Sequence, residues 1–481
     1  MRSLPSERRA WLAPVVVAAT GLVPAGDAFS QQSAQPRPPQ PPPFETLRYN
    51  EDYSYLKDPG ARSGDPWVLE PLKYIPLDRT GDCYLTLGGD IREQYEIVSN
   101  PSFGLSPEDE DGYLLHLYLL HADLHLWRHL RLFVQGRSAT SSFQENVPGP
   151  GAEFNPDLHQ LFADLTSTLA TERTRVTLRA GRQEMAYGAQ RMISVRPTIR
   201  RTFDAVRVLT ELGDWRADAF FGRPVEVDPE TFEHEGDERA RFWGIYAAGP
   251  TGLAPDIGID IYYLGLDQPG ATFELGEADQ PRHSVGLRLF GKADALDFDV
   301  EGTYQWGELG SLDISAWRLA TEIGYSFEST LLRPRAGLLL DVSSGDEERG
   351  DGRLGTFIPL FPKGNPFGAS PLIGPVNLIT VQPLLQLHIT DSVALETGWS
   401  TYWRQSTADG VYNDGLRLIQ PPAGNDSPSI GSELSVLVDW RINRNLSLSA
   451  KYSHFFAGTF LEETGPGEEV DYFSVFAHFL F

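Results

Sequence analysis

The stretch that most limits what this chain can fold into is its last one. Asp471 to Phe481 reads D-Y-F-S-V-F-A-H-F-L-F. Side chains on a strand alternate between faces, so Phe473, Val475, Ala477, Phe479 and Phe481 share one face and Tyr472, Ser474, Phe476, His478 and Leu480 the other. One face is wholly apolar and ends on an aromatic residue. A strand with lipid on one side and water on the other needs this pattern, and in a bilayer it must also find a partner on both edges. The stretch therefore points to the closing strand of an outer-membrane β-barrel, with Phe473, Val475, Phe479 and Phe481 as the signal for the assembly machinery.

The rest of the composition is compatible with a barrel and excludes other classes. Outside the N-terminus there is no uninterrupted apolar run long enough for a helical span. The chain is 41% hydrophobic with negative mean hydropathy, as expected when every second residue of a strand faces water. Lys plus Arg number 40 and Asp plus Glu 66, a net charge of −26, which argues against nucleic acid as a partner. The single cysteine, Cys83, rules out an intrachain disulfide framework and a thiolate metal cage, and it reads as a spectator thiol. Arg2, Arg8 and Arg9 precede an apolar run from Ala10 to Val23, followed by small residues around Ala28 to Ser30. That layout predicts a secretory signal peptide over 1–30.

Residues 31–45 form a Pro-rich linker, and 46–83 an irregular segment expected on the periplasmic side. From Tyr84 onward the two-residue period takes over. Leu85, Leu87, Gly89, Ile91, Tyr95 and Ile97 oppose Thr86, Asp90, Arg92, Gln94 and Glu96, with Glu93 breaking the apolar face. The same alternation recurs around Val176 to Ala180, Leu296 to Trp306 and Leu434 to Trp440. Short connections such as Trp127 to His129 and Arg441 to Asn445 alternate with long ones such as Val98 to Asp111, Gly265 to Gln280, Ser344 to Val376 and Gln405 to Ile430. This predicts an all-β, antiparallel up-and-down transmembrane barrel of about eighteen strands over 84–481. Short turns would lie in the periplasm together with both termini, and long loops outside. Gly307 to Leu312 is short where the scheme expects a long connection.

Strand parity nominates the lumen. Inward cations are Arg92, Arg131, Arg137, Arg175, Arg179, Arg216, Arg288, Arg318, Arg335, Arg404, Arg441 and Lys451. Inward acids include Asp90, Glu96, Asp123, Asp297, Asp299, Glu301, Glu396 and Asp439. Guanidinium groups could guide an anionic solute, or the two sets could pair across strands and select nothing. The densest basic region flanks one long connection and includes Arg191, Arg196, Arg200 and Arg201, so Met185 to Arg200 is either a candidate constriction loop folded inward or a solvent-exposed loop. Acidic loop clusters, including Glu226 to Glu238, Asp346 to Glu348 and Glu462 to Glu469, could share divalent cations such as calcium with lipopolysaccharide, or could be a solvated face. His121, Asp123 and His125 share a strand face but lack further metal ligands. The Asp297, Asp299, Glu301 row resembles an acid–base pair of a glycosidase yet has no matching apolar pocket. No catalytic residues and no cofactor are assigned.

Several stretches together resemble the alginate-export family of outer-membrane barrels: L-R-Y-N-E-D-Y-S-Y-L (Leu47 to Leu56), P-L-K-Y-I-P-L (Pro71 to Leu77), L-G-G-D-I-R-E-Q-Y-E (Leu87 to Glu96), L-R-A-G-R-Q-E-M-A-Y-G (Leu178 to Gly188), P-L-F-P-K-G-N-P-F-G (Pro359 to Gly368) and Y-S-H-F-F-A-G-T-F-L-E-E-T-G-P-G (Tyr452 to Gly467). The resemblance implies an eighteen-stranded channel with an electropositive constriction, passing an anionic polysaccharide by diffusion. A polymer exporter would need a periplasmic polymer-delivery scaffold as partner, and the barrel itself calls for outer-membrane lipid and lipopolysaccharide. A porin for small solutes (sugars, aromatic acids or metal complexes) is the alternative, and a barrel-embedded hydrolase a second one, because family membership does not fix cargo.

Overall fold

In a computed structural model the described residues are 42–481, apart from 64–68, 108, 144–153, 170–173, 197–199, 226–239, 255, 274–275 and 349. They form a closed antiparallel barrel of eighteen strands. In chain order these are β1 (Cys83–Ser99), β2 (Glu110–Leu126), β3 (Leu130–Ser142), β4 (Phe154–Leu169), β5 (Thr174–Gln183), β6 (Phe203–Leu212), β7 (Trp215–Pro224), β8 (Arg241–Pro250) and β9 (Ile257–Phe273). The second half comprises β10 (Gly276–Ala293), β11 (Leu296–Leu309), β12 (Leu312–Ser326), β13 (Arg335–Ser343), β14 (Leu378–His388), β15 (Val393–Arg404), β16 (Ser429–Arg441), β17 (Leu446–Ala457) and β18 (Val470–Leu480). Each strand pairs with its neighbours in sequence, and β18 returns to β1 from Asp90↔Leu480 to Val98↔Tyr472. Among the described residues no helix is long and apolar enough to cross a membrane.

The period of two sorts the side chains. Leu120, Leu161, Leu178, Val206, Phe221, Ile245, Ile261, Leu287, Leu319 and Leu385 occupy the outer face and are exposed. Asp123, Gln135, Arg179, Arg207, Asp260, Arg288, Glu301, Arg318 and Asp341 occupy the inner face and are buried. Outer aromatics gather toward the loop ends, where Tyr263, His283, Tyr304 and Trp306 stack on one another with Trp243 at their edge. Others mark the turn ends, among them Trp127, Trp215 and Trp440. Such bands suit the two borders of a bilayer. Trp215 lies across Gly249, where an added Cβ would come within 2.4 Å of the indole, so that position needs glycine.

Two connections depart from the expected lengths. The expected long loop from Gly265 to Gln280 is mostly strand, because β9 and β10 continue pairing to Phe273↔Gly276. A register shift between Gln268 and Ala271 accommodates Pro269 and Gly270 within the pairing. At the next hairpin β11 and β12 run on to Leu309↔Leu312, leaving only Gly310 and Ser311 between them, with Gly310 at φ 57°.

The irregular N-terminal segment is held against the barrel. It contains the short turns Arg48–Asn50, Ser54–Lys57 and Pro59–Ala61 and one helical turn, Glu70–Lys73. β1 extends beyond the point where β18 stops, and β2 occupies its other edge along the whole length. The bare edge of β1 is taken by Ile75 and Pro76, which pair with Leu85 and Tyr84. The Leu77 N–H donates to the Cys83 carbonyl (2.8 Å), and Lys73 Nζ to the Leu87 carbonyl (3.1 Å). At the seam itself Arg48 Nη1 donates to the Gly89 carbonyl (2.7 Å) and Nη2 to the Phe481 carbonyl (2.8 Å).

The facing of the wall predicts an asymmetry between substitutions. Leu120→Arg, on the lipid side, should destabilise the barrel by about 2–4 kcal/mol. Gln386→Arg, on the water side next to Glu396, should leave the unfolding midpoint unchanged in the same urea titration in lipid vesicles.

Candidate functional site: the lumen and its inward loops

A buried charge needs a partner, and the register of this barrel supplies one across neighbouring strands. Arg131 on β3 stands opposite Asp164 on β4, which stands opposite Arg179 on β5. Arg131 donates from Nη2 to Asp123 (2.6 Å) and lies 3.8 Å from Asp164. Arg179 holds Asp164 with two hydrogen bonds of 2.7 and 2.8 Å. Farther round, Arg207 pairs with Asp218, and Arg288 joins Asp260 (2.8 Å) to Asp299. Arg318 pairs with Asp341 (2.6 Å), and Arg335 with Asp297 and with Glu322 (3.0 Å). The inner wall from β2 to β13 thus carries a belt of two-pronged arginine–carboxylate pairs. Arg207 was absent from the sequence-derived set, although its parity marked it: the apolar residues on both faces of β6 hid it.

The connection between β5 and β6 folds inward. Its base is fixed by Glu184, fully buried, which accepts from Arg200 Nη2 (2.7 Å) and contacts His159 Nε2 (2.8 Å). Arg137 Nη1 donates to the Arg200 carbonyl (2.8 Å). Met185, Met192 and Ile193 join an internal apolar cluster with Phe203, Phe220, Phe242 and Tyr262 from the wall. Arg191 reaches Asp299 (2.6 Å) and Glu301 (3.0 Å) on β11. The long connection between β13 and β14 comes in from the other side, contributing Phe357 and Phe361 to the same cluster. The two loops meet in a parallel bridge at Ile193↔Phe361, where Ser194 N–H donates to the Phe361 carbonyl (2.7 Å) and Phe361 N–H to that of Met192 (2.8 Å).

Cations collect at this crossing. Arg196 contacts Asp414 at 3.3 Å, and Arg201 lies over the Phe361 ring with its centre 5.0 Å away. Burial, and then Arg191 nearby, push the Lys363 ammonium down to about 8. Burial and Arg196 push Arg201 down to about 9. Burial raises the Asp414 carboxyl even though Arg196 opposes the shift. Arg196 and Arg200 have left-handed backbones (φ 49° and 58°), a conformation costly for arginine and held here by the surrounding contacts.

The other nominated residues sit on the inner face but serve differently. Arg404 donates to the carbonyls of Thr407, Asp409, Asn425 and Ser427 and lies over Phe460, so it organises loop backbone. Arg441 donates to the Asp391 carbonyl. Arg175 and Arg216 are exposed near the turn end. Asp90 contacts His478 (2.6 Å), Glu96 accepts from Tyr113 (2.7 Å), Glu396 from Gln386 (2.7 Å) and Asp439 from Ser449. Asp297, Asp299 and Glu301 are all held by guanidinium groups, not in the apolar surroundings that a general acid needs. Asp123 pairs with Arg131 and His125, while His121 stacks on Phe133. Phe473 and Val475 face outward, and Phe479 packs on Phe481 with ring centres 5.9 Å apart. The acidic run Glu226 to Glu238 lies outside the described residues, and among those described no three His, Cys, Asp or Glu side chains converge as metal ligands.

Residual exposure is uneven around the inner wall. Mid-strand inward positions on β6 to β12 are mostly buried beneath the loops. Arg92, Glu96, Gln386, Glu396, Asp439, Lys451 and Phe476 are half-buried, so the inward positions that keep some exposure cluster on β14 to β18 and β1, mostly in their turn-side halves. Lys451 lies over Phe476 (5.5 Å) in the field of Glu96 and Asp439. The pairing belt makes a stability prediction. Arg288→Ala takes the guanidinium from Asp260, which keeps the Tyr246 hydroxyl (2.8 Å), while Asp299 keeps Arg191 (2.6 Å). It should cost about 3 kcal/mol in urea unfolding, the lower end for breaking a buried ion pair.

The comparisons agree with this architecture. The solved structures most like it include a BenF-like porin from Pseudomonas fluorescens Pf-5 (TM-score 0.56, 10% identity, covering 82% of this chain and 98% of that one). OccAB1 of Acinetobacter baumannii (0.55, 12%, 82% and 96%) and OccK5 (OpdH) of Pseudomonas aeruginosa (0.54, 12%, 82% and 97%) are similar. At these identities the likeness is one of fold. No curated protein matches the sequence. The alginate-export family matches residues 83–475, most of the chain and nearly the whole barrel. The chain belongs to the alginate-export family and is an outer-membrane channel.

Proposed function

We propose that this channel passes a linear saccharide bearing carboxylates, one extended strand at a time, between the inward loops and the wall formed by β14 to β18 and β1. The observation that carries the reading is the inward loop, which brings Arg191, Arg196, Arg200 and Arg201 inside the barrel, with Arg191 close to Lys363. Wall arginines from β3 to β13 are largely occupied by carboxylates, so they line the interior without adding much net field. At the loop crossing Arg196 contacts Asp414, Arg201 lies over Phe361, and Lys363 is buried near Arg191 with Glu322 and Asp299 in its field. On this reading these loop cations border the narrow part of the path. Charged groups at the narrowest ring set selectivity. Guanidinium groups hold carboxylates in a fork and release them one site at a time, which suits stepwise diffusion of a polyuronate.

On this reading the signal peptide expected over 1–30 delivers the chain to the periplasm, and the turn ends and both termini lie on that side. A polymer would then enter at the turn end from a delivery scaffold and leave among the long loops. A porin for small solutes is the second reading, favoured by the extent to which loops and ion pairs fill the lumen.

Purified protein in a planar bilayer under a salt gradient should show an anion-selective reversal potential and be blocked by added soluble polyuronate. Cation selectivity, or indifference to the polymer, would instead support the small-solute porin. The charge on Lys363 gives a pH signature. Its ammonium is protonated below about pH 8 and neutral above, so anion preference should fall as pH rises through about 8. Lys363→Met should abolish that step in the reversal potential.

A further inference from the structure

The N-terminal segment has more contacts than a linker needs, and they fall in an informative place. Arg48 bonds the carbonyls of Gly89 on β1 and Phe481 just beyond β18. Its seat therefore exists only when the first and last strands have met. Glu51 lies beneath it, contacting Arg48 Nε at 2.6 Å and accepting from Tyr53 (2.9 Å). Beyond the seam the chain turns into the lumen. Tyr49 sits edge-on to Phe133 and Phe162, ring centres 5.9 and 5.2 Å away, with the Arg179 guanidinium 4.2 Å above it. Its carbonyl accepts from Arg131 Nη2 (2.5 Å), and its hydroxyl donates to the Glu184 carbonyl (2.7 Å) at the base of the inward loop. Arg200 of that loop donates to the Thr46 carbonyl (3.3 Å).

The segment thus crosses the lumen under β1 to β5 and touches the loop that descends from the opposite end. It meets the wall by side chains and single carbonyls, and among the described residues the strand pairing nearby is that of Ile75–Pro76 on the edge of β1. The groups it covers, Arg131 and Arg179, belong to the arginine belt. A segment attached in this way can leave without opening the barrel, because the β1–β18 pairing from Asp90 to Val98 does not involve it.

We propose that residues 44–62 are an autoinhibitory hatch, seated on the closed β1–β18 seam by Arg48 and filling the lumen beneath β1 to β5 with Tyr49. In the seated state the turn-end passage is restricted to the side of β14 to β18. Withdrawal of the hatch adds the half lined by Phe133, Phe162, Arg131 and Arg179. The proposal concerns how much of the lumen is open and does not depend on which solute passes.

The test is single-channel conductance of the full chain in potassium chloride, where cargo plays no part. The double variant Arg48→Gln/Tyr49→Ala should conduct about two-fold or more above the unmodified protein while keeping heat-modifiable gel migration, because conductance follows the open cross-section. A folded double variant with unchanged conductance would overturn the hatch. If the double variant loses heat-modifiable migration, Tyr49→Ala alone decides by the same criterion, since Tyr49 touches neither seam carbonyl. A polyuronate block that persists alongside a failed hatch test would leave the cargo reading standing, and the reverse combination would leave the hatch standing.

Discussion

In a bilayer the strand edge is the costly feature: an unpaired N–H or C=O facing hydrocarbon has no water to satisfy it. The seam between β1 and β18 is where that constraint bears on this chain. The two strands pair over Asp90 to Val98, but β1 continues past Gly89 with nothing from β18 beside it. Ile75, Pro76, Lys73 and Arg48 take up that bare edge. A segment outside the barrel by sequence therefore completes its wall, and having been brought to the seam it is placed to enter the lumen.

Closure of the wall leaves the inner face to be filled with polar groups. Arginine and carboxylate on adjacent strands solve this locally, each satisfying the desolvated charge of the other. The belt of Arg131, Arg179, Arg207, Arg288, Arg318 and Arg335 with its acids gives a rigid, nearly balanced surface. The two inward loops then cover that belt with apolar side chains, Met185, Met192, Ile193, Phe357 and Phe361. Arg191 of the first loop joins the wall carboxylates Asp299 and Glu301, and Arg200 is held by Glu184, whereas Arg196 contacts Asp414 of another loop and Arg201 lies over Phe361. On the reading proposed above Arg196, Arg201 and Lys363, not the belt, set what passes.

The wall was legible in the sequence because its rule is local. Alternation at period two assigned Arg288, Asp299 and Leu434 to their faces, and the same rule put every nominated cation of the wall on the inner one. What lay beyond it depends on contacts distant in sequence. Nothing near Ile193 signals that Phe361 will pair with it, and nothing near Tyr49 signals a slot between Phe133 and Phe162. The stretch from Gly265 to Gln280 was expected to be a loop, yet its Pro269 and Gly270 sit at a bulge, whose local chemistry is that of a turn. Arg335 and Asp297 were nominated separately as pore-lining, but their pairing required knowledge of how β11, β12 and β13 are staggered. The family resemblance named the barrel and its ancestral cargo. It did not distinguish the occupied arginines of the wall from those of the loops.

The central claim is that the wall pairs are electrically silent and the loop cations are not. Its most direct test is the reversal potential of two variants measured under one salt gradient. Arg318→Met/Asp341→Leu removes a wall pair, and Arg196→Gln/Lys363→Gln removes loop cations. The account predicts an unchanged potential in the first and a shift toward cation selectivity in the second. An equal shift in both, or a shift only in the wall variant, would contradict it.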